Sequence, residues 1–291
     1  MSVIDNSSIP VVKPKLQIKV KLDKVDNSWK PSFMMDDDMD EFQGFKRKCM
    51  SILNKVTPKK YGILVEKFDS LLMDSKEKMT FCMELIFEKA LNEPLFSASY
   101  ARMCLVLGDK KATDENSNFV VTFKRLLIMK CQEEFEKDYM DGLDGEKYIN
   151  DINKATTDNE KKIIKMEFDD LELKLRKRSL GLIRFICELY KLSILTARIM
   201  HHCIRKLLFE YPSDEDKEAL CVLLMNVGQV LDRETDHRLA KGVTAGLSNL
   251  TVYFNKMKNL VKNRKTSAKV RLMMLDVIEL RQNGWRKEAA N

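Results

Sequence analysis

Residues 85–104 read LIFEKALNEPLFSASYARMC, and the run from Leu85 to Cys104 divides at Asn92-Glu93-Pro94. Upstream of the break, Met79, Cys82, Met83, Ile86 and Ala90 recur at helical spacing; downstream, Phe96, Tyr100, Met103 and Leu107 do the same. Apolar residues returning every three or four positions mark one face of a helix, and a proline at a polar break separates one helix from the next. The stretch therefore predicts a helical hairpin with a tight turn. Within its apolar run stands a charged pair, Glu88-Lys89, which packing does not require.

The same punctuation extends outward. Phe42, Phe45, Cys49, Ile52, Leu53 and Val56 form one helical face, and Thr57-Pro58 reads as an N-cap followed by proline at the first helical position. Asp74 with Glu77, and Ser213 with Asp216, predict capping boxes. A long helix is expected from Lys161 through Tyr190, another from Ser193 to Phe209, and two more over Leu247–Lys265 and Thr266–Gln282. Gly108–Asn118 reads as a polar loop, Met140–Glu160 as a second loop or frayed helix, and Asp232–Gly246 as a third loop.

Roughly ten helices paired at ~50 residues per hairpin come near the 40–47 residues of HEAT and armadillo units. The expected fold class is all-α, an α-solenoid of about five HEAT-like antiparallel helical hairpins. Ahead of it, residues 1–40 read as an extended arm, because Pro10, Pro14 and Pro31 block helix and alternating Lys and Asp leave little to bury. LQIKV at 16–20 is the best strand candidate, and the acidic run Asp36–Glu41 suits the start of the next helix. The domains expected are thus an arm, 1–40, a helical body, 41–286, and a tail, 287–291.

Composition agrees: 44% hydrophobic and 33% charged residues, with ten Gly and six Pro in 291, describe a globular helical chain with few breakers. Seven dispersed cysteines read as reduced core thiols in a cytoplasmic protein, and no uncharged run reaches the ~18 residues a membrane span needs. No secretory leader is expected. The net charge of +7 is local: Thr251–Asn291 holds ten Lys or Arg and three Asp or Glu, while the rest balances. Such a region suits RNA phosphates or an acidic partner, or is a solvated lysine-rich face.

Catalytic chemistry finds no purchase. Gly142-Leu143-Asp144-Gly145 lacks the Lys-Ser/Thr of a phosphate loop. His201-His202-Cys203 cannot converge on one metal, because adjacent helical residues point about 100° apart. Cys187 and Cys203 have no basic group to activate them. The expectation is a protein that is not an enzyme, with no catalytic residues, no metal and no cofactor. Tyr100, with Leu105 and Val106, fits the short pattern used to engage the cap-binding protein, but both Tyr100 and Leu105 fall on an expected core helix, so no such site is expected.

Five further segments carry a family resemblance. Trp29-Lys30-Pro31-Ser32, the run Ser51–Pro58 (SILNKVTP), Phe123–Lys137 (FKRLLIMKCQEEFEK), Arg178–Lys191 (RSLGLIRFICELYK) and Lys265–Arg281 with Trp285 stand in order around the opening hairpin. Together they resemble the middle domain of translation initiation factor 4 gamma over residues 20–286. The resemblance implies a crescent of five HEAT-like hairpins that holds both lobes of the DEAD-box helicase initiation factor 4A, raises its activity and binds RNA. Other initiation factors are further partners it implies.

Helicase contacts are then expected at Trp29, Phe87, Glu88, Lys89, Pro94, Arg178, Arg184, Lys191, Arg271, Asp276 and Arg281. RNA contacts are expected at Lys256, Lys258, Lys262, Arg264, Lys265 and Lys269. For each, packing or a solvated helix face is the rival reading. Two functional alternatives stay open: a short regulatory paralogue that sequesters the helicase, and an RNA-binding protein without helicase activation. The sequence departs from the family at Gly62, Lys60, Leu182 and Cys187, and in a longer segment between Asp232 and Tyr253.

Overall fold

The computed structural model describes residues 41–55, 61–71, 73–113, 119–137, 145–210, 212–243, 249–262 and 266–286. The arm with Trp29 and LQIKV, the Thr57-Pro58 restart, Arg264, Lys265 and the tail lie outside them. Eleven α-helices form among the described residues: α1 Glu41–Leu53, α2 Tyr61–Asp69, α3 Lys76–Asn92, α4 Ser97–Leu107, α5 Phe123–Glu136, α6 Gly145–Lys154, α7 Asp158–Lys191, α8 Ala197–Phe209, α9 Asp214–Ala240, α10 Leu250–Val261 and α11 Ala268–Gln282.

Their starts are written in small polar residues. Thr157 with Glu160, and Ser213 with Asp216, form reciprocal capping boxes at α7 and α9. Ser75, rather than the expected Asp74, caps α3 by accepting from the Lys78 amide, and Ser267 caps α11 in the same way.

Helices pair as α1/α2, α3/α4, α5/α7, α8/α9 and α10/α11. One row runs α1–α3–α7–α9–α11, each helix packed on the next. The second row places α2 on α4, α4 on α5 and α8 on α10. Side chains join α5 to α8: Lys206 Nζ donates to the Phe135 carbonyl at 3.0 Å and to Glu136 at 3.1 Å. A continuous core of buried Leu, Ile, Phe, Met and Cys side chains fills the space between the rows. This is the all-helical solenoid of five hairpins, with α6 as an extra helix.

Three departures from the sequence expectations have physical reasons. Gly108–Asn118 holds the first strand of a ribbon, β1 Lys111–Thr113, which pairs antiparallel with β2 Val120–Thr122. Two strands alone are barely stable. This pair is anchored by the Ser75–Thr113 bridge, by the burial of Ala112 and by Lys110 Nζ on the Asp69 carbonyl and carboxylate. In the second polar segment, α6 forms and stacks Tyr148 on Phe168 of α7 at 4.2 Å between ring centres. The third segment is helical as far as Ala240, because Leu231 and Thr235 still face the core and the polar residues between them find partners, Asp232 in Arg281 and Glu234 in Tyr190.

The seven cysteines are buried and unpaired. Burial pushes the Cys203 and Cys221 thiols up to about 12, which removes thiolate chemistry at neutral pH. His201 is fully buried, with Nδ1 2.9 Å from the Tyr253 hydroxyl and Nε2 2.8 Å from Thr235 Oγ1, so it ties α8 to α9 and α10.

Burial, reinforced by Arg205, pushes this imidazole down to about 4. An unfolded histidine titrates near 6.5, so the unfolded chain binds the extra proton between these values. His201's contribution is therefore complete above about pH 6.5 and is lost as pH falls toward 4. Denaturation at pH 7 and pH 5 should differ by about 2 kcal/mol from this residue, and His201→Gln should remove that part of the slope; an unchanged slope would refute the assignment.

The last described turn forms a clasp. Trp285 adopts a left-handed backbone, φ 64°, and its indole lies over Gly228 of α9, where an added Cβ would sit 2.2 Å from the ring. Its Nε1 donates to Asp232 Oδ2 at 3.1 Å, and its ring meets Phe254 edge-on.

Candidate functional site

The Leu85–Cys104 hairpin is built as a rigid turn. The Glu93 amide donates to the Lys89 carbonyl, Lys89 Nζ lies 2.8 Å from the Glu93 carboxylate, and the Tyr100 hydroxyl donates to the same carboxylate. A short 3-10 turn, Pro94–Phe96, follows. Pro94 is exposed, and Leu95 beside it is 95% exposed. Leu95 was not singled out from the sequence, where it reads as one more apolar residue of the hairpin.

Phe87 is fully buried against Phe185, with ring centres 5.8 Å apart, and faces away from any partner. Glu88 accepts both terminal nitrogens of Arg178 at 2.7 Å, and Arg178 also reaches the buried Glu134 of α5 at 2.6 Å. Glu88 and Arg178, expected to face a partner, thus hold α3, α7 and α5 to each other. Tyr100 lies in the core, but Leu105 and Val106, one of them expected there too, point outward.

Farther along α7, Arg184 is half-buried and Lys191 is exposed with Glu188 at 2.7 Å. On α11, Val270, Met274, Val277 and Ile278 face the core. The opposite face carries Asp276 together with Leu272, which is 61% exposed, and Leu275. The two leucines escaped the sequence reading because the run from Leu272 to Leu275, LMML, is apolar on every side. Arg271 is half-buried, and its Nε lacks a hydrogen-bond partner among the described residues. Arg281 is committed internally: it binds Asp232 at 2.8 Å and lies 4.6 Å over the Phe254 ring.

The basic residues divide. Lys258 and Lys262 are exposed one helical turn apart, without a charged partner among the described residues. Lys256 leans over the Phe209 ring of α8 at 5.8 Å, and Lys269 pairs with Glu218 of α9 at 3.0 Å.

The arrangement offers exposed apolar knobs and cations on a rigid frame. Among the described residues no group of three or more His, Cys, Asp or Glu is placed to hold a metal, and no helix is long and apolar enough to cross a membrane. The geometry is that of a helical binding module. The MIF4G domain family matches residues 46–284, and the chain belongs to that family.

It is 39% identical over 282 residues to eukaryotic translation initiation factor 4 gamma 3 of Homo sapiens, covering 94% of this chain and 17% of that protein. It is 38% identical over 277 residues to factor 4 gamma 1 of Mus musculus, covering 91% and 17%. With factor 4G of Cucumis melo it shares 40% over 250 residues, covering 85% and 12%. The chain therefore spans no more than 17% of the length of these three relatives.

Proposed function

We propose that this domain is a translation-initiation scaffold in the cytoplasm that binds and stimulates the DEAD-box helicase initiation factor 4A and holds RNA near it. The observation that carries the reading is family membership at this level of identity to initiation factors 4 gamma. The scaffold performs no chemistry of its own. It contributes binding energy that favours one arrangement of the helicase lobes and so shifts their population.

Surface geometry supports two separated contact regions. The first is the rigid turn bearing Pro94 and Leu95, with Lys89 and Glu93 around it. The second, at the far end of the first row, is the outer face of α11 with Leu272, Leu275 and Asp276. Arg184 and Lys191 of α7 lie between these ends in the packing order. Lys258 and Lys262 are the cations best placed for RNA phosphate, since neither is spent on an internal partner among the described residues.

An exposed apolar side chain on a pre-formed turn is an economical anchor, because little entropy is lost when it enters a partner pocket. Leu95→Asp should therefore weaken helicase binding at least about tenfold with unchanged thermal stability, roughly 1.4 kcal/mol of affinity. RNA-dependent ATPase of the helicase, measured with the domain titrated in, is the test. Stimulation that Leu95→Asp suppresses supports the scaffold, and binding with inhibition supports a sequestering regulator instead. Absence of both binding and stimulation would refute either. Reversing Lys258 and Lys262 to glutamate should flatten the salt dependence of RNA retention; an unchanged slope would return them to plain solvated residues.

A further inference from the structure

Between α5 and α8 the second row of helices leaves a groove of about 430 Å³. Across it Lys206 and His202 of α8 reach Glu136 and the Phe135 carbonyl of α5, and both lie against the Phe135 ring. The floor is apolar, formed by Ile128, Phe135, Ile186, Leu195 and Ile199. The rims are polar and unlike. On the α5 side Gln132 is exposed, and its amide has no partner among the described residues. Glu136 on that side is already held by His202 at 3.0 Å and Lys206 at 3.1 Å. On the α8 side stand Arg198 and Arg205, two turns or ~10 Å apart along the helix. Arg198 is exposed and carries no ion pair among the described residues.

Glu136, the carboxylate among the described residues that line the groove, is thus held by two basic side chains, while the Arg198 guanidinium remains available across from the Gln132 amide. A cavity of this size holds a few side chains, not a folded domain. An apolar floor desolvates an aliphatic or aromatic side chain, Arg198 offers a fork to a carboxylate, and Gln132 can donate to and accept from an extended backbone. A bare polyanion would leave the floor unfilled, and a purely apolar ligand would leave the guanidinium without a charge.

We propose that the α5–α8 groove docks a short linear segment of a partner protein that carries one or two bulky apolar side chains beside an aspartate or glutamate. It is a second interaction surface, separate from the Leu95 turn and from α11, and does not depend on the helicase reading. Through it the domain recruits an acidic peptide motif while its other faces remain occupied.

The test uses the full chain with isoleucine δ1 methyls labelled for NMR. The probes are a panel of short peptides placing leucine or phenylalanine beside aspartate, a matched panel with lysine for aspartate, and oligouridylate. The acidic panel should shift the Ile128, Ile186 and Ile199 methyls and bind at least about tenfold more tightly than the lysine panel, the scale of one desolvated ion pair. Arg198→Glu should reverse that preference, and Arg198 is exposed and without an ion pair among the described residues, so folding is kept; its stimulation of helicase ATPase should match the parent. No shift of these methyls, equal affinity for the two panels, displacement of the acidic peptide by oligouridylate, or loss of helicase stimulation in Arg198→Glu would each overturn the proposal.

Discussion

Replacing Gly181 by alanine is expected to lower the stability of the domain by about 3 kcal/mol, at the upper end for overpacking a core. The site is the crossing of α3 and α7. A Cβ built there would lie 2.3 Å from the Leu91 carbonyl oxygen and 3.0 Å from its carbon. Both are backbone atoms within a helix, so no rotamer change relieves the clash and the helices must separate. Separation would loosen the Phe87–Phe185 edge contact four residues on. Gly228→Ala is the natural comparison, because its obstacle is the Trp285 ring, which can swing away. Chemical denaturation should rank Gly181→Ala well below Gly228→Ala, and a loss under about 0.5 kcal/mol at Gly181 would refute so close a crossing.

Removing the Arg178 guanidinium should cost about 3 kcal/mol, in the range for breaking a buried ion pair. Arg178 serves two carboxylates: Glu88, which is half-exposed and recovers water, and Glu134, whose side chain is 4% exposed and does not. Burial works against Glu134's charge, yet Lys137 and Arg178 hold its carboxyl below the usual range. Its favourable contribution is therefore present above the unfolded value of about 4.3 and fades as pH falls through the lower folded value.

In Arg178→Ala, Lys137 is left to oppose burial without Arg178, and Glu134's pKa should rise from its lowered folded value. The deficit relative to the parent should then be largest at neutral pH and shrink toward pH 4, where the carboxyl is protonated. Adding Glu134→Gln to Arg178→Ala should recover part of the loss, since it removes a buried carboxylate that has lost Arg178 and keeps Lys137. A deficit independent of pH, with no recovery in the double variant, would show that Arg178 acts only through its aliphatic stem.

These two sites also mark how much the sequence disclosed. Helices were legible wherever an apolar period met a cap, as at Ser213 and Asp216, whose capping box formed as read. The ribbon was not, because three-residue strands are too short to show alternation and lie on either side of a polar run. The end of α9 was hidden because a helix whose outer side faces water reads as polar loop in DRETDHR.

Which residues reach the surface was harder to read. Glu88 and Arg178 stand out as charges amid apolar runs, but they satisfy each other across 90 positions of chain, a pairing no local pattern reveals. Leu95 and Leu272 carried the opposite disguise: apolar residues in apolar runs, exposed only because the backbone turns or the helix presents a second side.

Arg178 and Arg176 sit two residues apart on α7 and reach in opposite directions. Arg178 reaches back to α3 and α5, while Arg176 reaches Glu218 of α9, which also receives Lys269 of α11. A single turn of one helix is thus the joint at which the early and late hairpins are fastened. These two guanidinium groups add polar ties on either side of α7 to the apolar packing that joins it to α3 and α9. Exchanging either for lysine should loosen one of these ties while leaving the exposed Leu95 turn and the outer face of α11 intact, because a point charge cannot serve two carboxylate oxygens in the way a planar fork does.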